Sequence, residues 1–178
     1  MTKLRLENKV AIVTGAGSIA PGIGNGRATA ILFAREGAKV LLVDLNPAAA
    51  EETQAIIRQE GGEAEVFGAD VSKSDDCRFI VEHAMKRWGK LDILDNNVGI
   101  SGPGNVVDVD EKTWDRVMMV NVKSMFLTSK FAIPAMAANG GGSIINISSL
   151  SALRPRGLTP YSASKGAVLG LTLQHDER

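Results

Sequence analysis

Two side chains near the end of the chain have the types and spacing for proton transfer. Tyr161 and Lys165 lie four positions apart in Tyr161-Ser162-Ala163-Ser164-Lys165, so they share one face if this segment is helical. A phenol ordinarily ionises near pH ~10, too high for a good base at neutral pH. A nearby ammonium, or a positively charged nicotinamide, favours the phenolate and brings its ionisation towards the working range. Tyrosine and lysine at this spacing are common by themselves. Here Tyr161 is the only tyrosine, and it follows a strand-like run ending Asn146-Ile147-Ser148-Ser149.

A second constellation lies near the start. Thr14-Gly15-Ala16-Gly17-Ser18 continues through Gly22-Ile23-Gly24-Asn25-Gly26-Arg27 into a helical run from Ala28 to Glu36. Glycines between a strand and a helix let the backbone turn sharply and bring its N–H groups close to a pyrophosphate at the helix N-terminus. Asp44 ends the next apolar run, 20 residues after Gly24. A carboxylate there accepts hydrogen bonds from the ribose hydroxyls of the adenosine half of NAD and repels a 2′-phosphate. The plainer reading makes the glycines a surface loop and Asp44 a solvated strand end, or the start of a turn with Asn46 and Pro47. A nucleoside triphosphatase is excluded, because no Gly-Lys-Ser/Thr follows the glycines.

The elements that must position these groups alternate along the chain. Val10 to Val13, Lys39 to Val43, Ala64 to Phe67, Leu91 to Leu94 and Ser143 to Ile147 read as strands buried on both faces. Pro47 to Glu60 reads as a helix with Asn46 as its N-cap and Gly61 as its stop. Ser74 to Trp88 places Cys77, Ile80, Val81, Ala84 and Trp88 on one face, with acids early, bases late and Gly89 closing it. Asp110 is placed to cap a longer helix through Trp114, Val117, Asn121 and Met125, with a kink or an end expected at Pro134. This alternation predicts an α/β fold, a Rossmann-type doubly wound parallel sheet with helices on both faces, as one nucleotide-binding domain over residues 1–178.

Composition narrows the function classes. The 178 residues are 44% apolar, and 20 basic residues balance 20 acidic ones. That balance lacks the basic surplus of a nucleic-acid binder, and 4% aromatics argue against stacking platforms for single strands. One cysteine, Cys77, excludes an internal disulfide framework and a cysteine-cluster metal site. His83 and His175 have no metal-spaced partners and read as solvated, so no metal is expected. The apolar runs are too short to span a bilayer, and Met1 to Val10 has no signal-peptide apolar block. The expectation is a soluble cytoplasmic protein with no nucleic-acid or membrane partner.

Taken together, the motifs resemble the short-chain dehydrogenase/reductase family. The matching pieces are Thr14-Gly15 with its glycine loop, Asp44, Asp70-Val71, Asn96-Asn97-Val98-Gly99, Asn121, Ser148-Ser149 and the Tyr161/Lys165 pair, in the family's order. The resemblance implies hydride transfer between NAD(H) and a secondary alcohol or ketone. Tyr161 would pass the proton as general acid/base, and Lys165 would hold the nicotinamide ribose and depress the tyrosine pKa. A serine would hydrogen-bond the substrate oxygen, and Asn121 would hold a water in the proton relay. Gly15, Ser18, Gly24 and Gly26 would form the loop side of the cofactor site. Asp70 and Val71 would touch the adenine, Asn97 would sit against the adenosine ribose, and Tyr161 and Lys165 would complete the set. Family members of full length are expected to form dimers or tetramers.

The sequence departs from that pattern in four places. The glycine loop is longer than usual, so two registers compete: counting back from Arg27-Ala28-Thr29-Ala30 gives Gly24 and Gly26, whereas Gly-Ile-Gly gives Gly22 and Gly24. The first is favoured, because the pyrophosphate needs glycines at the helix start. Asp95 replaces the apolar residue usual at that strand position; it would face the cleft, find a neighbour, or cost several kcal/mol if buried alone. Strand position selects Ser149 as the catalytic serine, while the commonest separation from the tyrosine selects Ser148. Family members also continue past the tyrosine helix, so a C-terminally truncated, catalytically inactive NAD-binding remnant or regulatory protein is the alternative reading.

Overall fold

The computed structural model describes residues 4–18, 22–155 and 157–175. Five parallel strands form one sheet: β1 (Val10–Thr14), β2 (Lys39–Asp44), β3 (Glu63–Gly68), β4 (Ile93–Asn96) and β5 (Ser143–Asn146). Their order is β3-β2-β1-β4-β5, so the chain reverses direction across the sheet between β1 and β4. In such sheets the crevice outside the strand C-termini at that reversal is the ligand site.

Each strand is joined to the next through helix. The connectors are α1 (Asn25–Arg35), α2 (Pro47–Gln59), α3 (Ser74–Trp88) and, between β4 and β5, α4 (Glu111–Met118) and α5 (Ser124–Ala138). One face of the sheet, with Val13, Val40 and Leu42, packs on Ala30 and Ile31 of α1 and Ala50 and Ile57 of α2. The other, with Ile12, Leu41 and Leu94, packs on Ile80 and Ala84 of α3 and Leu127 and Met136 of α5. The predicted caps of α2 and α3 are in place, including Gly89 in the left-handed conformation at φ 77°. Asp110 caps α4 by accepting from the Thr113 N–H at 2.7 Å. Among the described residues no helix is long and apolar enough to cross a membrane.

Four local expectations change. β4 starts at Ile93 rather than Leu91, because the Asp92 side chain turns back to accept from Val10 N–H at 2.9 Å and Lys9 Nζ at 3.0 Å. The helix expected from Asp110 onwards is interrupted at Met119–Lys123 by a π-turn, which inserts extra backbone into one turn. Pro134 does not end α5, which runs on to Ala138. It gives up one helical N–H, while Ala132 and Met136 on either side stay buried in the core. His83 is not simply solvated, since its Nε2 lies 2.6 Å from Glu65 Oε1 on β3.

Asp95 is the polar exception inside this core. It is 1% exposed and lies beside Val13 of β1 and Ile145 of β5 in the sheet, and neither carboxylate oxygen has a partner in hydrogen-bond geometry, the Thr29 hydroxyl on α1 acting on it only from outside that geometry. It lies outside the residues lining the strand-end cleft, so it neither faces that cleft nor pairs. Burial pushes its carboxyl up to about 6, against a weaker opposing pull from the Thr29 hydroxyl on α1. An unfolded aspartate releases its proton near ~3.9, so between the two values the folded state binds more protons and stability falls as pH rises. Above that window the full penalty, on the order of 3 kcal/mol, stands. Asp95→Asn, a neutral isostere of the protonated acid, should therefore raise unfolding free energy more at pH 8 than at pH 4. Urea denaturation at both pH values checks this; equal gains at the two would contradict it.

Candidate functional site

The strand C-termini open into a cleft of about 750 Å³ that runs from the glycine turn past Asp44 to Asp70, Val71 and Asn97. Its floor is built by close approach of backbone. Gly15 follows β1 at φ 67°. Gly26, in the first turn of α1, lies so near it that an added Cβ would fall 2.0 Å from the Gly15 carbonyl oxygen and 2.5 Å from Asn97 Nδ2. Only glycine fits there. Gly24 is the N-cap of α1 in an extended conformation with no side-chain cap, whereas Gly22 stands in open space at φ 117°. Gly24 and Gly26 thus stand at the start of α1, and Gly22 stands before it. Residues 19–21 of the lengthened loop lie outside the described residues; Ser18 and Gly24 both line the cleft.

Asn97 ties the floor together from β4. Its Nδ2 donates to the carbonyls of Thr14 at 3.1 Å and Gly15 at 3.2 Å, and its N–H donates to Thr14 Oγ1 at 3.1 Å. Asp44, at the end of β2, accepts from Gly17 N–H through Oδ2 and from Asn46 N–H through Oδ1, both at 2.9 Å. Asp70 accepts from the Ser72 hydroxyl at 2.6 Å and the Ser72 N–H at 3.0 Å. The Ser72 hydroxyl is the main cause that holds the Asp70 carboxyl below the usual range. Val71 is 7% exposed, with its side chain in the core beneath the cleft.

The remaining predicted residues gather around α6 (Thr159–His175), which packs on α4 and the π-turn. Lys165 is 3% exposed, and its Nζ donates to the Ile147 carbonyl at 2.6 Å. Burial pushes its ammonium pKa down. Its Nζ lies 5.7 Å from the centre of the Tyr161 ring and within reach of Gly99, where an added Cβ would come to 3.3 Å. Gly99 also lines the cleft, so the lysine reaches it there. Asn121, fully buried in the π-turn, accepts from Ile100 N–H at 2.8 Å; its Nδ2 donates to Ile100 O at 2.9 Å and Ser164 Oγ at 3.0 Å. Both amide hydrogens are thus engaged by protein. Ser148 Oγ donates to the Lys165 carbonyl at 2.8 Å, and Ser149 Oγ accepts from Ser151 N–H at 3.1 Å, capping the 3-10 turn Leu150–Ala152. Ser149 keeps its hydroxyl hydrogen for another partner, whereas Ser148 has spent its own.

Sequence reasoning missed the Ile147 carbonyl, which no side-chain pattern marks, and Thr53 and Arg27. Thr53 Oγ1 donates to Ala16 O at 2.7 Å, and the buried Arg27 donates to Thr53 Oγ1 at 3.1 Å and to Gly22 O at 3.2 Å. An arginine in the first turn of a helix gives no sign that its side chain is buried. Among the described residues no group of three His, Cys, Asp or Glu is placed to hold a metal ion.

The short chain dehydrogenase family model matches residues 9–177. The chain belongs to the short-chain dehydrogenase/reductase family. It is 43% identical over 172 residues to 2-(S)-hydroxypropyl-CoM dehydrogenase 3 of Xanthobacter autotrophicus, covering 96% of this chain and 65% of that protein. A putative short-chain dehydrogenase/reductase from Burkholderia xenovorans superposes with a TM-score of 0.92 at 41% identity, over 94% of this chain and 67% of the other. NAD+-bound xylitol dehydrogenase matches with a TM-score of 0.90 at 33% identity, over 96% and 65%. The chain therefore spans about two thirds of the length of these relatives.

The glycine geometry sets a testable contrast. Gly26→Ala should destabilise the fold by about 1–3 kcal/mol, since the Gly15 carbonyl it strikes is backbone. Gly24→Ala should cost less than about 1 kcal/mol, because its Cβ meets nothing nearer than Ser18 Oγ at 3.7 Å and Gly17 O at 3.9 Å, both ordinary contacts. Thermal and urea unfolding of the two variants compare them directly; equal losses would contradict the assignment.

Proposed function

We propose that this chain binds NAD in the strand-end cleft and acts on secondary alcohols or ketones, with Tyr161 as general acid/base. The observation that carries the reading is the meeting of the buried Lys165 ammonium, beside Tyr161, with Gly99 of the same cleft that Gly15, Asp44 and Asn97 line. The residues present fit a dinucleotide. Gly26 lets α1 begin directly against the Gly15 backbone, and the start of α1, with no side-chain cap among the described residues, turns backbone N–H groups suited to a pyrophosphate towards the cleft. Asp44 would hold the adenosine ribose, Asp70 and Val71 the adenine, and Tyr161 and Lys165 the nicotinamide side. NAD, when bound, supplies the acceptor for hydride.

The chain's own residues handle the proton and the orientation of the reacting oxygen. Tyr161 Oη takes the alcohol proton, or returns it to a carbonyl. Lys165, fixed on the Ile147 carbonyl, stabilises the phenolate that results. Ser149, with its hydroxyl hydrogen uncommitted, donates to the substrate oxygen. Asn121 joins Ile100 to Ser164 and so holds the cleft wall against α6; a proton-relay water would bind beside it. Exposed Trp114 on α4, Phe126 on α5 and Leu169 on α6 support association with a second copy of the chain. The one cysteine, buried and unpaired, fits a reducing cytoplasm.

Calorimetric titration should show NAD bound more tightly than NADP, and Asp44→Ala should narrow that preference. Equal or tighter NADP binding by the unsubstituted chain would sink the cofactor assignment. Tyr161→Phe should leave NAD affinity nearly unchanged and lower NADH formation from a panel of secondary alcohols by about 10²–10⁴-fold. NAD binding by the unsubstituted chain without any turnover would favour a nucleotide-binding protein over an enzyme.

A further inference from the structure

Three charged side chains line the cleft among the described residues: Asp44, Asp70 and Arg116. Both acids are engaged, Asp44 by the N–H groups of Gly17 and Asn46 and Asp70 by Ser72. The Arg116 guanidinium has no hydrogen-bond or ion-pair partner among the described residues, although twelve ion pairs occupy cations elsewhere on this chain. Among the described residues that line the cleft it is the only cation. Arg116 stands on α4, one helical turn before Val120 of the π-turn, so the two share a face. Val120, Val71 and Val98 line the same cleft, and they give it an apolar section beside Asp70.

A cleft wall that carries valines, an acceptor-rich acid and a planar cation with no partner among the described residues suits a flat, nitrogen-rich ring. We infer that Arg116 is a binding residue for the adenine base, laying its guanidinium against the purine. This rests on the NAD reading above. An arginine takes such a ring by stacking and by cation–π attraction, and it is more weakly hydrated than a lysine ammonium. The base would lie on the valines, and its amino group would reach the Asp70 carboxylate. The pyrophosphate is served separately by the start of α1, so Arg116 is not required for it.

Arg116 has no side-chain partner among the described residues, so its replacement should leave the unfolding midpoint without nucleotide unchanged. Calorimetry with NAD, and adenosine used as a competitor of NAD, are the probes. Arg116→Ala should weaken both ligands by about 5- to 30-fold. Arg116→Lys, which keeps the charge and loses the plane, should weaken them nearly as much. Recovery of NAD binding by the lysine variant, or a loss confined to charged ligands, would overturn the base contact in favour of simple charge attraction. NAD affinity of the alanine variant within twofold of the unsubstituted chain would overturn the role of Arg116 alone. Failure of the unsubstituted chain to bind NAD would overturn the cofactor reading and this inference with it.

Discussion

The rest of the structure depends on the approach of the first turn of α1 to the carbonyl of Gly15. Side chains cannot be accommodated at that crossing, because a single added carbon at Gly26 would overlap backbone that has nowhere to move. The approach aligns the start of α1 with the end of β1 and leaves N–H groups facing the crevice. Asn97 then fastens the same point to β4 through three hydrogen bonds, so three elements far apart in sequence converge within one turn. Arg27 and Thr53 extend the fastening to α2, where Thr53 grips the Ala16 carbonyl. The cleft is therefore pre-formed by backbone contacts made in folding, the condition under which a polar site binds without a large ordering cost.

The Tyr161/Lys165 pair is held by a separate network that meets the first at Gly99. The π-turn widens the helix by one residue and sets Asn121 between the Ile100 backbone and Ser164. Ser164 in turn donates to the Tyr161 carbonyl at 2.7 Å, so the tyrosine backbone is anchored through the asparagine. Lys165 is fixed from the opposite side by Ile147 and Ser148 at the end of β5. Removing the ammonium from water costs charge stabilisation, and the short bond to Ile147 offsets part of that cost.

Asp95 opposes this economy. A carboxyl with no donor, deep in a strand where an apolar residue would pack, lowers stability above its shifted pKa and contributes nothing to the cleft. Cys77 is a quieter case: burial pushes its thiol up to about 12, and it packs as an apolar side chain in α3. Both show that a polar or reactive residue type says little until its surroundings are known.

Sequence alone determined the element order, the parallel sheet and most helix ends. These follow from local signals: β-branched runs, Asn46-Pro47 and Asp110 as caps, and a glycine that can adopt the left-handed conformation at Gly89. It also marked Gly15, Asp44 and Asn97, which line the cleft, and the Tyr161/Lys165 pair, whose lysine reaches it at Gly99. Tertiary structure decided what local spacing cannot encode. The start of α1 falls at Gly24 and Gly26, after Gly22, and only Gly26 crosses the Gly15 backbone. Tertiary contacts also gave Ser148 and Ser149 different partners, the Lys165 carbonyl on α6 and the Ser151 N–H of the 3-10 turn. The π-turn, the buried Arg27 and the unpaired Arg116 were invisible beforehand, since each depends on which distant surface lies opposite a side chain, and that is fixed only when the helices close on the sheet.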